Sequence, residues 1–281
     1  MSLPERMNSM NTLPTSIKTR RESFADGLTV RFDEQGNNGR PMLILHGGGG
    51  PQTVTGLAAA LSNYAHIFMP THPGFAGEPR PAWFDSIDDL AFAYLDLLER
   101  LNLRDVLVIG SSIGGWIAST MALRDTMHLI SGLVLINGVG IQVDGHPVPD
   151  VSTLAPEKLA ALSFHNPAAF RVDPSSITPE QIAIRKANTE TLYVYDSERL
   201  GGDPKLQRRL RHVKIPVLVA WGESDRVADL EYGRVYAQSF PNARFEPIPE
   251  AGHLPQIEQP ERLLNLVRQF AISIGATQPV A

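Results

Sequence analysis

The chain contains no cysteine. Disulfide bonds, thiolate nucleophiles and cysteine-based metal sites are therefore excluded together. The absence agrees with a reducing compartment. The chain also lacks any apolar run near the roughly 18 residues that a membrane-spanning helix needs. Its first residues carry Glu5, Asn8 and Asn11 rather than an apolar stretch, which does not read as a secretory signal. There is no basic excess: 25 Lys and Arg stand against 30 Asp and Glu, a net charge of −5. Such a surface offers no electrostatic pull on nucleic acid or an anionic membrane. Phosphate-loop and dinucleotide-binding glycine signatures are missing, as are H-E-x-x-H and clustered histidine ligands. A soluble, cytoplasmic protein is expected, acting on a small molecule without metal or cofactor. No signal for an oligomeric state stands out.

With 281 residues and 43% apolar content, the chain suits one α/β domain carrying an insertion. Residues 1–15 lack periodicity and read as a loose tail. Residues 17–24 and 28–32 are strand-like, with Asp26-Gly27 as a turn between them. Compact apolar runs follow at 42–45, 67–69, 106–109, 133–136 and 217–220. Runs of this kind fit parallel strands buried on both faces. Helical patterns lie between them. One opens on a Ser86–Asp89 capping box, another spans 116–124, and a last one begins at Pro260 with Leu263, Val267 and Phe270 on one face. The alternation predicts a mostly parallel, doubly wound α/β sheet. Residues 139–212 interrupt it. They include a helix start at Thr178-Pro179-Glu180-Gln181 but no clear buried strand. This stretch is expected to form a helical lid inserted after the sixth strand, with 16–138 and 213–275 as the core.

The chemistry concentrates at strand ends. Gly110-Ser111-Ser112-Ile113-Gly114-Gly115 follows the run 106–109 and leads into a helix. That is a G-x-S-x-G pattern in the strand–turn–helix setting it requires, with Ser112 projected from a strained turn as a nucleophile. His46-Gly47-Gly48-Gly49-Gly50 closes the run 42–45. His46 reads as a buried brace for that loop. After the run 217–220 come Glu223, Asp225 and Asp229, three candidates for an orienting acid. His253, in Ala251-Gly252-His253-Leu254, is the candidate general base.

In their order and spacing, His46-Gly47-Gly48, Gly110-x-Ser112-x-Gly114-Gly115, Gly222-x-x-Asp225 and Gly252-His253 resemble the α/β-hydrolase superfamily. The resemblance runs from about residue 17 to 274. It implies Ser112, Asp225 and His253 as a catalytic triad, and an oxyanion hole built from Gly48 or Gly49 together with Ile113. Pro70 to Gly77 looks like the family's D-x-x-G-x-G loop, with Thr71-His72 in place of the acidic start. Asn137 occupies the position after the sixth strand where some relatives keep their acid, so it does not compete with Asp225. A serine nucleophile separates the chain from dehalogenases and epoxide hydrolases of this fold, which use Asp.

The implied activity is hydrolysis of a small ester or related acyl substrate through a covalent acyl-enzyme. The glycine loop and Arg185 on a lid helix also resemble hydrolases that cleave carbon–carbon bonds of meta-cleavage products. Leu254-Pro255 stands where those relatives carry an aromatic residue after the catalytic histidine. A small-ligand receptor and a perhydrolase-like enzyme are further readings of the same fold. Arg185 and Trp116 are the candidate substrate contacts. Ile182 and Ala183 would mark the inward face of the lid helix, with Arg185 near its edge.

Overall fold

The computed structural model describes residues 16–170, 177–196 and 202–275. The expected tail at 1–15 lies outside the described residues, as do short parts of the insertion.

The apolar runs form strands, and their length and branching explain why. β1 (Lys18–Ser23) and β2 (Thr29–Gln35) make an antiparallel hairpin around the turn at Asp26. They are followed by β3 (Pro41–Leu45), α1 (Thr55–Leu61), β4 (His66–Thr71) and α2 (Ile87–Arg100). Ser86 and Asp89 cap α2 reciprocally, which fixes where that helix begins. β5 (Val106–Ser111), α3 (Ile113–Arg124) and β6 (Ile130–Ile136) complete the first half. α3 starts three residues earlier than the pattern 116–124 suggests, because Ser112 itself serves as its N-cap residue. The insertion carries α4 (Pro156–Ser163), α5 (Pro179–Asp196) and α6 (Leu206–Leu210). The chain then returns through β7 (Val217–Gly222), α7 (Leu230–Gln238), β8 (Ala243–Ile248), α8 (Pro255–Glu258) and α9 (Pro260–Gly275).

The eight strands lie in the order β1-β2-β4-β3-β5-β6-β7-β8, antiparallel at the β1–β2–β4 edge and parallel elsewhere. Alternate residues of the central strands feed two separate cores. Ile44, Ile109, Val134 and Leu218 pack with α1 and α9, whereas Leu45, Val108, Leu135 and Val219 pack with α2, α3 and α7. The order reverses at β3, between β4 on one side and β5 on the other. Loops leaving the carboxyl ends of strands beside such a reversal enclose a crevice, the usual ligand position in open α/β sheets. Among the described residues, no helix is long and apolar enough to cross a membrane.

Candidate active site

Ser112 sits between β5 and α3 with φ 54 and ψ −120, a conformation that few non-glycine residues adopt. Its backbone is held on both sides. Ser112 N donates to the Ile136 carbonyl at 3.0 Å, and its own carbonyl accepts from Val139 N at 3.1 Å and Gly115 N at 2.9 Å. The turn is possible because α3 comes close to β3: a Cβ at Gly114 would collide with the Leu45 carbonyl. Ser111 is buried, and its hydroxyl accepts from Gln256 Nε2 at 3.2 Å.

The Ser112 hydroxyl points at His253, with Oγ 2.9 Å from Nε2. On the other edge of the ring, Nδ1 lies 2.8 Å from Asp225 Oδ2. An acceptor-only carboxylate there makes Nδ1 the protonated nitrogen, which leaves Nε2 to accept from the serine hydroxyl. Asp225 and His253 are only 4% and 7% exposed. A buried carboxylate needs partners, and Asp225 has four. Oδ1 accepts from Val227 N at 2.8 Å and Ala228 N at 3.2 Å, while Oδ2 accepts from His253 and from Asn137 Nδ2 at 2.7 Å. The loops carrying the acid and the histidine touch directly, since a Cβ at Gly222 would strike the Gly252 carbonyl.

Of the three candidate acids, Asp225 is the one that meets His253. Glu223 is exposed. Asp229 caps α7, accepting from Tyr232 N at 2.9 Å through Oδ1, and its Oδ2 lies 2.7 Å from His146 Nδ1.

The glycine loop after β3 reaches the serine from the opposite side. A Cβ on Gly47 would lie 3.0 Å from Ser112 Cβ. Gly48 is half-buried beneath Leu192 of α5, and Gly49 is exposed. Ile113 is the first residue of α3, so its N–H is one of the first-turn donors without an intrahelical partner. His46 is fully buried and braces this loop. Its Nδ1–H donates to the Gly47 carbonyl at 2.7 Å, and its Nε2 accepts from His72 N at 3.1 Å. His72, also buried, donates from Nε2 to the His46 carbonyl at 3.0 Å, and its Nδ1 accepts from the Tyr94 hydroxyl. Burial pushes His46 down to about 4 and, with His46 beside it, holds His72 well below the ordinary imidazole range.

A cavity of about 320 Å³ opens at Ser112 and Ile113. Trp116, Val139, Val148, Leu192, Tyr193 and Val227 supply most of its apolar wall, and Asp150 and Asp196 also line it. Trp116 therefore lies where a substrate contact was expected. Arg185 does not. Its side chain is exposed, as is Ile182, and the buried stripe of α5 runs through Asn188, Thr191 and Tyr195. The expected inward face, drawn from Ile182 and Ala183, lies on the wrong side of the helix. The real docking face is mostly polar because it bonds to loop backbone. Asn188 Nδ2 donates to the Gly49 carbonyl at 3.3 Å and Asn188 Oδ1 accepts from Ala76 N at 2.8 Å. Thr191 donates to the Gly74 carbonyl at 3.0 Å, and Tyr195 to the Pro73 carbonyl at 2.8 Å. Among the described residues, no group of three or more His, Asp or Glu is placed to hold a metal ion.

The model of the alpha/beta hydrolase family matches residues 42–266, most of the chain. The chain belongs to the alpha/beta hydrolase family. It is 26% identical to 2-hydroxymuconate semialdehyde hydrolase of Pseudomonas putida over 291 aligned residues, covering 95% of this chain and 99% of that one. It is 25% identical to Lipase 3 of Moraxella sp. (strain TA144), covering 91% and 85%. In three dimensions it is similar to a serine hydrolase from Cycloclasticus zankles, with a TM-score of 0.76 at 20% identity over 91% of this chain and 98% of that one. These relatives and neighbours are hydrolases, and the eight-stranded sheet with its flanking helices follows the family's fold.

Proposed function

We propose that this hydrolase cleaves a small ester or related acyl substrate, with Ser112 as nucleophile, His253 as general base and Asp225 as the acid that orients it. The observation that carries the reading is the continuous line from Ser112 Oγ through His253 to Asp225, with steps of 2.9 and 2.8 Å. His253 Nε2 takes the serine proton as Oγ attacks the substrate carbonyl, and the imidazolium is stabilised by Asp225. The oxyanion is received by the N–H groups of Gly48 and Ile113, and Gly49 is the weaker candidate because it faces solvent. His253 returns the proton to the leaving alkoxide, leaving an acyl group on Ser112. Water activated by the same imidazole then releases the acid. Residues 139–212 act as a lid, supported by Val139, Val148, Leu192 and Tyr193 in the cavity wall.

Cleavage of a carbon–carbon bond is the second reading, favoured by the 26% identity to 2-hydroxymuconate semialdehyde hydrolase. The described cavity wall favours the ester, since it carries Asp150 and Asp196 and, among the described residues, no Lys or Arg. The test is stopped-flow release of p-nitrophenol from p-nitrophenyl acetate, together with fluorophosphonate labelling. A burst, sustained turnover and one label per chain at Ser112 are expected. A single slow equivalent without turnover would identify a receptor instead, and hydrolysis unaffected by labelling would remove Ser112 from the mechanism.

A further inference from the structure

Asn137 directly follows β6 and is fully buried. It cannot be the orienting acid, yet both ends of its side chain are engaged beside that acid. Nδ2–H donates to Asp225 Oδ2 at 2.7 Å, and Oδ1 accepts from Gly222 N at 3.1 Å. We propose that Asn137 is a positioning residue that fixes the plane of the Asp225 carboxylate against His253. The proposal rests on the triad reading above.

The geometry of the carboxylate carries it. Oδ1 is pinned by the backbone N–H groups of Val227 and Ala228. A carboxylate anchored at one oxygen alone can still turn about its Cβ–Cγ bond and swing the other oxygen off the imidazole. That other oxygen, Oδ2, is the one facing His253 Nδ1, and Asn137 supplies its second donor. Two anchored oxygens define one plane, and this plane contains the bond to His253.

The residue type follows from the same contacts. Position 137 has φ 45, in the left-handed region where Asn and Asp are enriched. It must accept from Gly222 N and donate to Asp225 Oδ2 at the same time. An amide does both at every pH. A carboxyl group there could still accept from Gly222, but it could donate only while protonated. Once ionised it would face Asp225, and two carboxylates sharing one site resist being charged together. Asn137→Asp therefore separates the structural bond to Gly222, which survives, from the donation to Asp225, which is lost as pH rises.

The test uses the full chain with p-nitrophenyl acetate, active sites being counted with a fluorophosphonate. Asn137→Gly deletes the side chain at a positive φ that glycine accepts without strain. Its kcat is expected to fall roughly tenfold to a hundredfold, the scale of one hydrogen bond to a charged group, with KM nearly unchanged. For Asn137→Asp, the ratio of its kcat to that of the parent is expected to decline as pH is raised. A low-field NMR resonance from the proton shared by His253 and Asp225 should shift in both variants. A pH-independent ratio for Asn137→Asp, or a parent-like kcat in folded Asn137→Gly, would overturn the proposal. Should Asn137→Gly not fold, the pH ratio of Asn137→Asp decides alone. Failure of the triad reading looks different: the parent itself would take up no label, and Ser112→Ala would keep its turnover.

Discussion

Asn188 and Gly49 are joined across the boundary between the inserted helices and the core, the side-chain amide donating to the glycine carbonyl at 3.3 Å. The same side chain accepts from Ala76 N at 2.8 Å, so one buried residue of α5 ties together the loops that follow β3 and β4. Asn188→Ala would remove both bonds, a loss of about 0.5–1.5 kcal/mol for each hydrogen bond. A lower melting temperature and slower ester hydrolysis are expected together. A variant that melts lower yet turns over like the parent would show that the glycine loop keeps its shape without α5.

Ser112→Ala should abolish hydrolysis and fluorophosphonate labelling while the circular dichroism spectrum stays that of the parent. Ser111→Ala should keep most of its activity, because that hydroxyl faces Gln256 inside the protein rather than the cavity. The opposite pattern in ester assays would reverse the assignment of the nucleophile.

Acid should weaken the fold through its buried histidines. Folding holds His46 near about 4 against an ordinary 6.5, mainly by burial. His72 is held well below the same value by burial and by the neighbouring His46. In the unfolded chain each takes up its proton near 6.5, so between the two values the unfolded state binds more protons. Stability therefore rises with pH across that window and is lost as the medium is acidified from 6.5 toward about 4. Urea midpoints taken through the window should fall with acid, and His46→Gln should flatten part of that fall. Midpoints that stay level in the parent would refute the assignment.

Leu192 lines the cavity and lies over Gly48. Leu192→Ala should widen the site and move the preference toward longer acyl chains. The measurement is kcat/KM along a series of p-nitrophenyl esters from acetate to octanoate. An unchanged chain-length profile would place the acyl group elsewhere.

The parts of this molecule legible in its sequence are those governed by apolar patterning and by special backbone geometry. Continuous apolar runs marked the buried central strands, and Gly110 and Gly114 around Ser112 marked a close strand–helix approach. Ser86 with Asp89 marked a helix start. The face of α5 was illegible for the converse reason. Its buried positions Asn188, Thr191 and Tyr195 are chosen for hydrogen bonds to loop carbonyls, so the more apolar Ile182 and Ala183 pointed to the wrong side. Asn137 lacks the carboxylate that marks an orienting acid, and only its contact with Asp225 gives it significance. Such a contact joins residues far apart in the chain, which local periodicity does not register.

The nucleophile is spliced by its own backbone to the end of β6 and the loop that follows it, through Ile136 and Val139. The two proposed oxyanion donors differ in that security. The Ile113 N–H belongs to a helix rooted in the central sheet, whereas Gly48 stands in a loop steadied by polar contacts from α5. Warming would then dismantle the site in sequence. Turnover would fade below the melting midpoint while Ser112 itself remained in place.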